Sequence, residues 1–369
     1  MPATSRAMVL KAFGEPLTGE DLEIPEPVPG AALARVDYGG ICGTDVHLQQ
    51  GRLPIPTPIV MGHEAVGRIE QLGAGLEHDV LGRRLSPGDR VVWASNIPCG
   101  HCYYCLRLGE RTLCADRRIY GINQRADTAP ALSGGWADVI YLQPGSTIIR
   151  IPDEIHSEEV IALGCAGPTT VHGVLGLLHI QVGDVVAVQG SGPVGLAAAM
   201  YASVLGAGRI VLLGAPASRL ELAAELGLGD VHIDITEVDE PADRVDAVRS
   251  ASEGRGADVV IEATGVPAAV AEGMDMCRPN AQLLVLGQYT DHGPSPINPH
   301  LITRKQLKVL GSWAFAERHY IDYVRTLAQL RERFDLRRLL SSYDLEAANE
   351  ALADVAAGRC TKAVLRPSG

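Results

Sequence analysis

Four cysteines, Cys99, Cys102, Cys105 and Cys114, stand in one stretch reading PCGHCYYCLRLGERTLC, with gaps of two, two and eight residues. No other feature constrains the fold as tightly. Four thiolates at this spacing close around one tetrahedral Zn²⁺ and leave no open position. A closed site is structural, so reaction chemistry has to be sought elsewhere. Two disulfides and a thioredoxin-like redox pair are the competing readings. Adjacent CxxC steps without a secretory signal disfavour the first, and overlapping steps with a fourth cysteine suit the second poorly.

A chain of 369 residues can bury two cores. Its net charge of −12 argues against a nucleic-acid partner. The arginine-rich piece from Leu330 to Arg338 reads as the solvated face of a helix. No run is apolar enough to span a bilayer, so no membrane partner is expected. The opening MPATSRAMVLKAFG lacks the apolar core of a signal peptide and reads as a first strand. Eight cysteines without an export signal point to a reducing, cytoplasmic setting.

The first third carries short β-like runs at 7–11, 32–38, 65–71, 90–94 and 137–142, punctuated by Pro and Gly. That pattern predicts a partly open β-barrel or sandwich. Past Pro152 the texture changes. Strands are expected at 184–189, 210–213, 259–262 and 282–286, with helices at 195–205 and 219–226. Alternation of this kind predicts an α/β doubly wound parallel sheet. After Ser312 the structure becomes mixed, with helices near 320–333 and 345–357.

The segment VVAVQGSGPVG supplies Gly190, Gly192 and Gly195 as GxGxxG between a buried strand and a helix. Gly190 serves the tight turn, Gly192 lets backbone approach a pyrophosphate, and Gly195 allows close helix–sheet packing. With Pro193 and Val194 these residues form the candidate phosphate turn at a helix N-terminus. The acid expected after the second strand is replaced by Gly214, and Arg219 follows as a candidate phosphate partner. NAD and NADP are both compatible with this pattern.

Three further motifs stand apart in the sequence: ICGTDVH (41–47), GHE (62–64) and LGCAGPTTVHG, which contains Cys165. Together they offer Cys42, His63 and Cys165, three protein ligands that leave a fourth position for water or substrate, as at a catalytic zinc.

With GGWAD (134–138), EATG (262–265) and GRCTK (358–362) added, the chain resembles the zinc-dependent medium-chain alcohol dehydrogenases over nearly its whole length. The resemblance implies a Rossmann doubly wound parallel sheet plus a GroES-like β-barrel catalytic domain. It implies a catalytic domain over 1–166 with a zinc lobe at about 96–116, a coenzyme domain over 167–313, and a return to the catalytic domain over 314–369. Cys42, His63 and Cys165 would hold one zinc, with Glu64 able to swap in, and the four-cysteine lobe a second. Asp45 would orient His63, Thr44 would bond the alkoxide, and His47 would pass the proton to solvent. Thr169 would flank the nicotinamide, Trp313 would line the same pocket, and Lys362 would reach the pyrophosphate. Thr264 and Leu286 complete the implied cofactor contacts. Homodimers or homotetramers are implied.

The sequence departs from the family at the eight-residue gap in the lobe, at Gly43 in place of a phosphate-binding arginine, and at Gly214. Cys165 stands where polyol dehydrogenases usually carry Glu. The expected activity is hydride transfer between a small-molecule alcohol and NAD or NADP, giving a ketone or aldehyde. A secondary alcohol, including a cyclic one, is favoured by the small polar Ser95 and Asn96 near the expected mouth. Asn96 and Tyr120 are candidate cleft residues, while His101 is expected on the surface. The alternatives are a polyol or amino-alcohol dehydrogenase, and a non-catalytic zinc-bearing binding protein on the same fold.

Overall fold

The computed structural model describes residues 3–367. Met1 and Pro2, part of the expected first strand, lie outside them. The chain forms two compact units, one of Met1–Cys165, Ala316–Leu327 and Leu336–Gly369, the other of Ala166–Phe315 and Ala328–Asp335.

The first unit is built on a sheet whose path runs Ile148–Arg150, Arg90–Trp93, Glu64–Leu72, Ala32–Gly40, Lys362–Arg366 and Leu340–Asp344. Val139–Leu142 adds to Ala32–Gly40. All pairings are antiparallel except Leu340–Asp344 with Lys362–Arg366. A smaller sheet of Thr18–Glu23, Thr4–Leu10 and Ile59–Val60 joins it through Ala7 and Ala137. Val36, Ile69, Val91 and Ile140 belong to one barrel core; Val36 and Ile69 have exposed neighbours in their strands, whereas Val91 and Ile140 lie in short strands buried almost throughout. The expected strands are present to within a few residues. Thr18–Glu23 was not foreseen, since TGEDLE is a polar edge strand whose residues are largely exposed.

The register of the central strands places the chemistry. Gly40 lies opposite Glu64, so the end of one strand and the start of its neighbour meet. The indole of Trp136 donates to the Gly40 carbonyl at 2.9 Å and pins that corner.

The second unit is a six-stranded parallel sheet in the order Val231–Asp234, Arg209–Gly214, Val185–Gln189, Ala257–Glu262, Cys277–Val285, Lys308–Gly311. The order reverses beside Val185–Gln189, the position at which doubly wound sheets bind nucleotides. Val185, Ala187, Val211, Leu213, Val260 and Leu283 belong to its core. The outer strands Val231–Asp234 and Lys308–Gly311 escaped the sequence reading because both are short and half exposed. Among the described residues no helix is long and apolar enough to cross a membrane.

Candidate metal and cofactor sites

Cys42 caps the helix Gly43–Gln49, and its backbone N–H donates to Asp45 Oδ2 at 2.9 Å. The other Asp45 oxygen lies 3.0 Å from His63 Nδ1. One carboxylate thus fixes both the turn of the first ligand and the ring of the second, an arrangement that leaves His63 Nε2 for a metal. The side chain of Cys165 lies 3.5 Å from Cys42, sulfur to sulfur. Donor atoms of Cys42, His63, Glu64 and Cys165 all lie within 4.8 Å of one another.

Electrostatics mark this cluster as a cation site. The contact with Cys165 holds the Cys42 thiol well below its ordinary pKa despite burial, with His63 and Lys362 adding to the effect. The same contact, with burial, pushes Cys165 well above its own. A thiolate at Cys42 beside Cys165 is the form a divalent cation binds. Burial opposes protonation of His63, but Asp45 and Cys42 outweigh it and raise the imidazole. Two thiols, a histidine and one buried carboxylate converge here, residue types that suit a zinc ion with an open position.

Glu64 is buried with both oxygens engaged. Oε1 accepts from the Cys165 N–H at 2.9 Å, and Oε2 pairs with the Lys362 ammonium. Lys362 is only 2% exposed and also donates to the Ile41 carbonyl at 3.2 Å. The resemblance assigns Lys362 to a pyrophosphate, whereas the structure buries its ammonium beside the donor cluster. Gly164 has φ +46, and a Cβ there would overlap the Glu64 carboxylate. Sequence reasoning missed Gly164. Its signal was a glycine immediately before a candidate ligand, as Gly62, with φ +96, precedes His63.

Thr44 is half-buried, with Oγ1 3.8 Å from Cys42 Sγ. His47 lies three residues further along the same helix and is half-buried.

In the lobe, the sulfurs of Cys99, Cys102, Cys105 and Cys114 also lie within 4.8 Å of one another. The Cys99 N–H donates to Cys114 at 3.4 Å. The backbone N–H of His101 is the main cause that brings Cys99 down to about 6, while burial pushes Cys105 up to about 12. His101 is exposed and outside the donor set.

In the second unit Gly190 has φ +116 and Gly192 caps the helix Pro193–Val204. A Cβ on Gly192 would meet nothing within 4 Å, so the N-terminal cradle formed with Pro193 and Val194 is open. At Gly195 a Cβ would overlap the Gly190 carbonyl. Gly214 behaves differently: a Cβ there would run into Ser191, whose backbone nitrogen would be 2.7 Å away. The Ser191 hydroxyl, donating to Ala215 at 3.2 Å, fills that space. Arg219 sits half-buried in the first turn of the helix Ala217–Glu225. Thr264 Oγ1 donates to the buried Glu262 at 2.7 Å, and the same carboxylate accepts the N–H groups of Thr264, Gly265 and Gly287. Leu286 packs on Gly173, and half-buried Thr169 lies in the short helix Ala166–Thr170. Trp313 is 40% exposed and stacks on Tyr289 at 4.8 Å.

Two cleft expectations are corrected. Tyr120 is 1% exposed, in the barrel core, with its hydroxyl bonded to Ser146 at 2.6 Å and to the Gln143 N–H at 2.7 Å. Ser95 and Asn96 are buried, and Asn96 pairs with Ile119 in a short two-stranded sheet. They therefore give no ground for a roomy mouth.

Comparison with known proteins agrees with both halves of this geometry. The family model for the alcohol dehydrogenase GroES-like domain matches residues 28–153, and that for zinc-binding dehydrogenases matches 193–329. The 5-exo-hydroxycamphor dehydrogenase of Pseudomonas putida is 35% identical over 94% of this chain and 95% of its own. An alcohol dehydrogenase from Thermotoga maritima superimposes with a TM-score of 0.93 at 30% identity, covering 99% of this chain and 100% of its own. A protein described as a zinc-binding dehydrogenase from Sinorhizobium meliloti, bound to NADP, gives 0.86 at 27% identity, covering 99% of each chain.

Proposed function

The chain belongs to the zinc-dependent medium-chain alcohol dehydrogenase family, and from that premise we propose that it oxidises a secondary alcohol, including a cyclic one, to the ketone with NAD or NADP. The observation that carries the reading is the convergence of half-buried Cys42 and Cys165 with His63, and buried Glu64 beside them. The ring-alcohol preference is supported by the hydroxycamphor dehydrogenase relative.

Cys42, His63 and Cys165 would hold the catalytic zinc, and Cys99, Cys102, Cys105 and Cys114 the structural one, making two per chain. When bound there, zinc would supply Lewis acidity toward a substrate hydroxyl. Asp45 holds the His63 ring in its ligating orientation. Thr44, beside Cys42, hydrogen-bonds the substrate oxygen and passes its own hydroxyl proton on as it takes the substrate's, and His47 exchanges that proton with solvent. Lys362 neutralises Glu64, which holds the Cys165 backbone in place. In the second unit the open turn at Gly192, Pro193 and Val194 cradles the pyrophosphate of the dinucleotide. Thr169, Leu286 and Trp313 flank the nicotinamide; Gly214, Arg219 and Thr264 belong to the rest of the cofactor site. By the same reading the enzyme is a cytoplasmic homodimer or homotetramer.

Elemental analysis after exhaustive dialysis, followed by oxidation assays across alcohol classes with each cofactor, tests this. Two zinc ions per chain and turnover of secondary ring alcohols are expected. Full activity without zinc overturns the metal assignment, and a preference for sorbitol or threonine overturns the substrate class.

A further inference from the structure

The outer four-cysteine lobe is fastened to one helix. Arg111, between Cys105 and Cys114, donates to Glu317 Oε1 at 2.8 Å, at the start of the helix Glu317–Arg333. The Glu317 side chain is buried, and its second oxygen has no hydrogen-bond partner. Neutralisation of this carboxylate therefore falls to Arg111, and losing that partner would strand a buried charge. Arg318 adds a bond to the Gly109 carbonyl at 3.2 Å.

The next turns of that helix reach the helix that precedes Cys165. Tyr320 and Tyr323 are buried and meet edge to face at 5.8 Å. The Tyr323 hydroxyl donates to the Val160 carbonyl at 2.6 Å. Val160 belongs to the helix Ser157–Leu163, whose last four carbonyls have no partner within the helix. Tyr323 thus caps from outside the helix that ends at Gly164 and delivers Cys165.

We propose that the first turns of Glu317–Arg333 are a strut between the outer lobe and Cys165, with Glu317 and Tyr323 as positioning residues for the inner donor set. This role rests on the two zinc sites proposed above. Its consequence is that damage to the lobe loosens the inner metal, although no lobe residue belongs to the inner donor set. Proximity alone does not establish such coupling, so the test is a mutant cycle.

Cobalt(II) exchanged into the full-length holoenzyme is the probe. An ion with an open coordination position changes its visible spectrum on adding imidazole, whereas one closed in by four cysteines does not. Release of the imidazole-responsive ion to excess EDTA is followed for wild type, Tyr323→Phe, Arg111→Ala, and the swap Arg111→Glu with Glu317→Arg. Leaving the Val160 carbonyl or the Glu317 carboxylate unpaired should speed release about tenfold. The swap should restore the slow rate. Arg111→Ala added to Cys102→Ser should bring no further acceleration, because the lobe is already lost. Tyr323→Phe keeps the buried ring and decides the matter if Arg111→Ala does not fold. Wild-type release from folded Tyr323→Phe overturns the strut and leaves the zinc reading intact. A wild-type enzyme that takes up no imidazole-responsive ion overturns that reading and the strut with it.

Discussion

Replacing Lys362 by methionine isolates the buried ion pair at the centre of the first unit. Lys362 opens the strand Lys362–Arg366, packed between Ala32–Gly40 and Leu340–Asp344. Methionine keeps most of the volume and removes the charge. Two contacts disappear, those to Glu64 and to the Ile41 carbonyl. Glu64 keeps its bond from Cys165 at Oε1, but Oε2 is left buried without a cation. Removing one partner of a buried pair costs about 3–5 kcal/mol, because the remaining charge is stranded. At about 2–4 °C per kcal/mol for a unit this size, the midpoint should fall by roughly 6–20 °C. Glu64→Gln in the same background removes the stranded charge and should recover most of that loss. Thermal unfolding at pH 7 with the zinc concentration fixed is the assay, since a bound metal shifts apparent stability. A single variant within about 1 kcal/mol of wild type, or a double variant no better than the single, would refute the pairing and its role.

Cofactor choice and the proton path give the other two. Gly214→Asp alone should weaken both NAD and NADP, because its Cβ displaces Ser191 and the phosphate turn with it. Paired with Ser191→Gly it should favour NAD, as a carboxylate there accepts from the ribose 2′-OH and repels a 2′-phosphate. An unchanged ratio of kcat/KM in the pair would mean that position 214 does not face the ribose. Thr44→Val should lower kcat by about 10²-fold with the fold intact. His47→Gln should cost less and flatten the acid side of the pH–rate profile, and a wild-type rate in Thr44→Val would remove its hydroxyl from the path.

Local chemistry was readable from sequence wherever short-range spacing determines it. The lobe is one such case, since four cysteines within sixteen positions can meet without help from the rest of the chain. The phosphate turn is another, because Gly190, Gly192 and Gly195 answer to steric demands of a single βα junction. Buried parallel strands announced themselves as apolar runs, whereas Thr18–Glu23, Val231–Asp234 and Lys308–Gly311 did not, being polar or half exposed. The inner donor cluster was legible only through three motifs taken together.

What the sequence determined by itself, then, is the set of parts: a closed cysteine lobe, a dinucleotide turn, and the donors Cys42, His63 and Cys165. Tertiary structure decided how those donors are held. Lys362 meets Glu64 across 298 positions, and Tyr323 reaches Val160 across 163. It also decided that Tyr120 fills the core and that Ser191 occupies the space beside Gly214. Such contacts depend on sheet register and helix packing, which bring together residues with no periodic or short-range relation. A charge or hydroxyl carries no mark in sequence of the distant partner that will neutralise it once water is excluded.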